Sequence, residues 1–307
     1  MRRGEGFLVA ALAGGLLSAT CLVAGGAPDP EPPPSSDRAA LVAETLQRSG
    51  TKDQIDQVPA LVRAGLEEQA AEADPETYAL LEPIFSQAYR PDRLYQVVSG
   101  HLLQQADEAR LSQVLEWLRS PLAQRISGWE VEASTPEAQQ EVRRYHEQQE
   151  QNPPPEVRMD LVVRLNRAAR VSETTVEINL ATMRGLLEGV NASLPPEKRL
   201  EKETLDRLLE GSRAQMEGVT ETQTLTYLLY TYRHATEPEL TEYVAFLESD
   251  LGQWFARLMS EALRQAMATA ANEVGRRVSE TISQKFSDGR EDGTTDERRP
   301  VVSPVEP

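Results

Sequence analysis

Two stretches decide how this chain is read: ADEARLSQVLEWLRSPLAQ at residues 106–124 and ATEPELTEYVAFLESDLGQ at residues 235–253. They align without a gap, 129 positions apart. Leu111, Leu115, Leu118 and Leu122 fall opposite Leu240, Val244, Leu247 and Leu251. A 4-3-4 spacing puts four apolar side chains on one side of a 3.6-residue helix, so each stretch predicts an amphipathic helix with a buried seam. Trp117 and Phe246 stand opposite each other, one position off that seam. Thr236-Glu237-Pro238-Glu239 reads as a reciprocal capping box with a proline in the first turn. Both stretches then reach a serine. At Ser120-Pro121 the serine can cap a fresh turn with proline in its first position, which re-aims the seam, and Ser249-Asp250 can do the same.

A second match lies upstream. Leu46-Gln-Arg-Ser-Gly50 resembles Leu165-Asn-Arg-Ala-Ala169, and Leu61-Val-Arg-Ala-Gly-Leu66 resembles Leu180 to Leu186 with one residue inserted. The chain is therefore expected to be all-α, with two tandem copies of one helical bundle unit at residues 38–150 and 157–286. A Pro-rich linker at 151–156 joins them. Asp74-Pro75-Glu76-Thr77 and Thr135-Pro136-Glu137 read as further helix starts. In the second unit a helix from Thr236 can run to about Lys285, roughly 75 Å at 1.5 Å per residue. Such a coiled-coil-like length suits docking across the first unit or against another subunit. Gly252 and Gly275 are the alternative break points.

The segments around Trp117-Leu118-Arg119-Ser120-Pro121-Leu122-Ala123 and Phe246-Leu247-Glu248-Ser249-Asp250-Leu251-Gly252 resemble the bacterial domain-of-unknown-function family 2059, in two partly degenerate copies. The shared feature is a helix with an acidic cap, Leu and an aromatic, leading to a Ser-Pro-x-Gly turn. The first copy keeps the proline and has Ala123 for the glycine; the second keeps Gly252 and has Asp250 for the proline. The resemblance implies an all-helical fold and an envelope location, and it brings no activity, cofactor or catalytic set.

The N-terminus supports export. Met1-Arg2-Arg3 precedes the uncharged run Phe7–Val23 and then small residues to Ala27, the pattern of a secretory signal at 1–27 or of a retained N-terminal anchor. Cys21 is the single cysteine, which rules out disulfides within the chain and thiolate metal clusters. It is also a possible lipidation site, although Thr20 stands where a smaller residue is expected. Residues 28–37 read as a disordered tether and 287–307 as a charged, disordered tail. The protein is thus placed in the periplasm or cell envelope, touching membrane only through its N-terminal segment. A net charge of −17 repels nucleic acid, which is not expected as a partner.

Catalytic signatures are missing. His101, His146 and His234 form no H-E-x-x-H and no pair one turn apart, no Gly-rich phosphate loop or Gly-x-Ser-x-Gly elbow occurs, and Asp56, Glu68 and Glu72 define no metal set. No catalytic, cofactor-binding or metal-ligating residue is expected, and no cofactor. Trp117, Trp129, Tyr230, Phe246 and Trp254 are either core packing or the lining of an apolar groove between helices, with Tyr227 and Tyr232 beside Tyr230. The expected function is a non-enzymatic protein-binding or assembly factor with a protein partner or as a homo-oligomer. A carrier of a lipid or other apolar ligand is the alternative, and a hydrolase without a recognisable motif the third.

Overall fold

The computed structural model describes residues 36–70, 75–194 and 196–291. The signal or anchor, Cys21, Asp74 of one expected cap, and the tail beyond Glu291 lie outside them. Twelve α-helices occur among the described residues: α1 (Ser36–Arg48), α2 (Thr51–Ala70), α3 (Pro75–Ala88), α4 (Pro91–Gln105), α5 (Glu108–Leu118), α6 (Pro121–Ala133), α7 (Pro136–Gln151), α8 (Glu156–Ala169), α9 (Val171–Ser193), α10 (Lys202–Thr231), α11 (Glu237–Glu248) and α12 (Asp250–Glu291). A 3₁₀ turn at Pro196–Lys198 precedes α10. The chain is all-α with a long C-terminal helix. No helix of the described residues is long and apolar enough to cross a membrane.

Local chemistry sets the breaks. Asp107, Ser120, Thr135 and Thr236 each cap a helix by accepting from a backbone N–H three residues on, and Thr236 and Glu239 complete a reciprocal box. Between α1 and α2 the chain turns at Gly50 with φ 72°, and between α8 and α9 at Arg170 with φ 54°. The left-handed conformation is free for the glycine and costs the arginine about 1 kcal/mol.

Among the described residues two large hydrophobic cores form beside smaller clusters, and each of the two draws helices from both sides of the Asn152–Pro155 connection. In the first, Val42, Leu46, Val58, Phe85, Val98 and Leu102 of α1–α4 pack with Met259, Leu263, Met267 and Val274 of α12. In the second, Leu122 and Ile126 of α6 pack with Leu165 of α8, Tyr227 and Tyr230 of α10, and Leu240 and Val244 of α11. The chain thus closes its early core with its last helix and its late core with helices from the middle.

The helix expected from Thr236 to Lys285 is in fact two. Ser249 adopts extended backbone, φ −69° and ψ 158°, and its Oγ accepts from the Gly252 N–H at 3.0 Å. A side chain on Gly252 would strike the Phe246 carbonyl, so the glycine permits the tight return. After that break α12 runs 42 residues, about 63 Å, through Gly252 and Gly275 without interruption. At its ends the helical pattern also exceeds expectation. Helix α1 begins at Ser36, inside the expected tether, where Asp37 favours a helix N-terminus. Helix α12 continues to Glu291, inside the expected tail, because extending an existing helix adds one hydrogen bond per residue fixed.

Gly275 is a contact rather than a hinge. A Cβ at Gly189 of α9 would fall on the backbone of Gly275, and a Cβ at Gly185 would lie 2.8 Å from Asn272 Oδ1. The two helices therefore touch backbone to backbone. Gly189→Ala is expected to force them apart and to cost about 1–3 kcal/mol as an overpacking change, read as a lowered thermal or urea midpoint. Gly275, buried in that contact, is expected to resist early cleavage in limited proteolysis.

Candidate functional site at the helical seam

Both serine breaks are held by the same devices. Ser120 Oγ accepts from the Ala123 N–H at 3.1 Å, matching Ser249 and Gly252. Gln124 Nε2 donates back to the Leu118 carbonyl and across to the Arg48 carbonyl; Gln253 Nε2 donates to Leu247 at 2.7 Å and to Ala168 at 2.6 Å. Arg38 reaches the Ala106 carbonyl at 2.8 Å, and Arg158 reaches that of Ala235 at 3.0 Å. Glu44 takes Arg119 in a two-point ion pair, while Arg164 takes Glu248 in the same geometry with the charges reversed. The later partners lie 129 residues apart. Those in the opening helices lie 120 apart, one residue beyond the pairing of Leu46 with Leu165. Gly50 and Arg170, the two left-handed turns, obey the same spacing.

Where α5–α6 meets α11–α12, two aromatics 129 positions apart meet each other. The Trp117 and Phe246 rings stack with centroids 3.8 Å apart and planes 3° from parallel, and Tyr243 stacks on Trp117 from 5.7 Å. Beside them lies a small cavity of about 50 Å³. Its lining includes Trp117 with Phe246, Leu118 with Leu247, Ile126 with Phe255, Ser127 with Ala256, and Glu130 with Met259, every pair separated by 129 residues.

Glu130 brings a carboxyl into this lining. Its Oε1 accepts from the Tyr232 hydroxyl at 2.6 Å and the Tyr243 hydroxyl at 3.0 Å, under the aromatic stack. The residue keeps some surface exposure, but its carboxyl is enclosed. Burial raises its pKa from an ordinary 4.5 to about 7, outweighing the two hydroxyl donors, which act to lower it. Burial and the neighbouring Glu130 carboxylate push Tyr232 and Tyr243 well above the usual phenol range. The positions 129 residues away from Tyr232, Tyr243 and Glu130 hold Leu103, Val114 and Met259, all apolar.

Of the aromatics singled out from sequence, the structure brings Trp117 and Phe246 together. Trp254 sits further along α12, with the Arg110 guanidinium 5.2 Å above its ring. Trp129 packs half-buried against the second core. Tyr230 is buried there too, its hydroxyl donating to Glu141 and the Arg233 guanidinium lying 3.9 Å over its ring. Tyr232 was named only as a neighbour of Tyr230, and Tyr243 and Glu130 were not among those residues. Glu130 lies four residues after Ile126 on the buried side of α6, and that placement is the signal that could have found it. His101 contacts Gln265 at 3.0 Å and His146 contacts Thr226 at 3.4 Å, both at the surface. Among the described residues no group of three or more His, Cys, Asp or Glu is placed to hold a metal ion. An open cleft of about 570 Å³ between α9, α10 and α12 carries Arg184, Arg213 and Arg264 among acidic residues. Its Arg184 is already paired with Asp206 at 2.7 Å.

Residues 232–281, from the end of α10 through α11 into α12, match the family described as "Uncharacterized protein conserved in bacteria (DUF2059)". The match takes in the second of the two resembling stretches and does not extend to residues 106–124. No curated protein and no solved structure matches the chain.

The enclosed carboxyl makes stability depend on pH. Its folded pKa, about 7, lies above the unfolded 4.5, so the folded state binds the proton more tightly. The resulting stabilisation is complete below the unfolded value and is lost as pH rises through 7. Urea midpoints are expected to rise from pH 8 to pH 5, by at most about 1.4 kcal/mol per pH unit from this group. Glu130→Gln should flatten that dependence and be the more stable form at pH 8.

Proposed function

We propose that this chain is an exported, envelope-located scaffold made of two diverged copies of one helical unit, which acts by holding a protein partner. The repeated contacts at Ser120 and Ser249, Gln124 and Gln253, and Arg38 and Arg158 support the two-copy reading. Export rests on the pattern of residues 1–27. The carrier reading finds less support, since two of the aromatics expected to line an apolar groove, Trp117 and Phe246, are stacked on one another beside a space of about 50 Å³.

The observation that carries the binding reading is where large apolar side chains face solvent. Apart from Val157 on α8, the large apolar residues most exposed among the described residues are Val190, Leu200, Leu208 and Val219, at 38%, 44%, 51% and 58%, and these four lie within the α9–α10 hairpin. That hairpin has its own small core of Val176, Leu180 and Leu209. Leu208 and Val219 are three turns apart on α10 and share a face. Single exposed apolar residues are ordinary, whereas a concentration of them on one element marks a contact surface.

Native mass spectrometry of protein purified from its own envelope, without detergent washing, tests the reading. A co-purifying protein or a stable homodimer is expected, and Leu208→Gln with Val219→Gln should abolish it while leaving helicity and melting temperature unchanged. A partner retained by the double variant would remove the hairpin from the proposal. A bound mass of lipid size would favour the carrier.

A further inference from the structure

We infer that the seam is a partner-recognition surface in which the first half of the chain, α1–α7, is built to pair with the second, α8–α12, and neither is built to pair with itself. This rests on the two-copy reading. Its first support is the exchange of helices: α12 completes the core of α1–α4, and α6 with α7 completes that of α8, α10 and α11. Subunits of twofold dimers are related in this way. The second is the stack of Trp117 on Phe246, a position meeting its own equivalent.

The contacts across the seam are not interchangeable. On one side Arg125 of α6 binds Glu239 of α11 at 2.5 Å. On the other side the same two places are filled by Trp254 and Arg110, which meet as a cation over a ring. Pairing two first halves would set Arg125 against Arg110, two cations with no anion between them. Glu130 would then face Val114 and Leu103, which offer no hydrogen. Pairing two second halves would set the Glu239 carboxylate against the Trp254 ring face, itself electron-rich. The hydroxyls of Tyr232 and Tyr243 would be left facing Met259 without an acceptor. Each self-pairing leaves a charge or a buried polar group unmatched, and only the mixed pairing satisfies them all.

The test starts from the full chain, with the Asn152–Pro155 connection lengthened to carry a protease site and cut after folding. Native mass spectrometry and size exclusion should then show one species containing one copy of each half, without homodimers. Cut halves that separate into independent monomers, or that redistribute freely into homodimers, would overturn the inference. In the same cleavable chain, Arg125→Trp with Glu130→Met gives the first half the second half's residues at both places. First-half homodimers should now appear. Their failure to form, with the mixed complex intact, would also count against the pairing rule. The two-copy reading is tested separately, by superposing residues 36–133 on 156–262 in an experimental structure. Halves that superpose but separate on cutting sink only the present inference, and halves that do not superpose sink the reading beneath it.

Discussion

The breaks at Ser120 and Ser249 are the constraint on which the architecture depends. In each a seryl oxygen replaces the missing partner of a backbone N–H, a glutamine amide ties the new helix back to the end of the old one, and the chain leaves in a new direction. Without the break after Glu248, α11 and α12 would form one rod, and its apolar face could serve only one core. With it, α11 stays on α8 while α12 crosses to α1–α4. Two hydrogen bonds of about 1 kcal/mol each therefore decide where a helix of 42 residues goes.

Much of the helix content was legible because its signals are local. The box at Thr236–Glu239 and the prolines at 121 and 136 act within a few residues and each marks a helix start, while the 4-3-4 leucine spacing marks a helix only through its first three members, since Leu122 and Leu251 fall on the helix beyond each serine. What apolar periodicity does not carry is the identity of the opposing surface. Leu122 read as part of the buried seam of its own unit, yet it packs, with Ile126, against α8, α10 and α11. The length of the last helix was misjudged for a related reason. Ser249-Asp250 lacks the proline that makes Ser120-Pro121 conspicuous, and the decisive contact, Gly252 against the Phe246 carbonyl, depends on three-dimensional closeness.

The candidate site was half legible. Trp117 and Phe246 stood out as matched aromatics, and the structure stacks them. Glu130 did not, because a glutamate in an acidic chain carries no mark, and the tyrosines that hold it lie 102 and 113 positions away. Its meaning comes entirely from enclosure: the same carboxylate on an outer face of α6 would be one more solvated charge. The glycines tell a similar story. Gly275 looked like a break point of a helix, whereas in the structure it lets two backbones touch, together with Gly185 and Gly189 of α9.

Met259 sets the proton count of the seam cavity. Had a glutamate occupied that position as well, two carboxyls would share one enclosure, and the first to ionise would hold back the second, as in paired-carboxylate sites that titrate in two separated steps. With a thioether there instead, Glu130 is the one carboxyl in the cavity lining, and its raised pKa comes from burial rather than from repulsion by a second carboxylate.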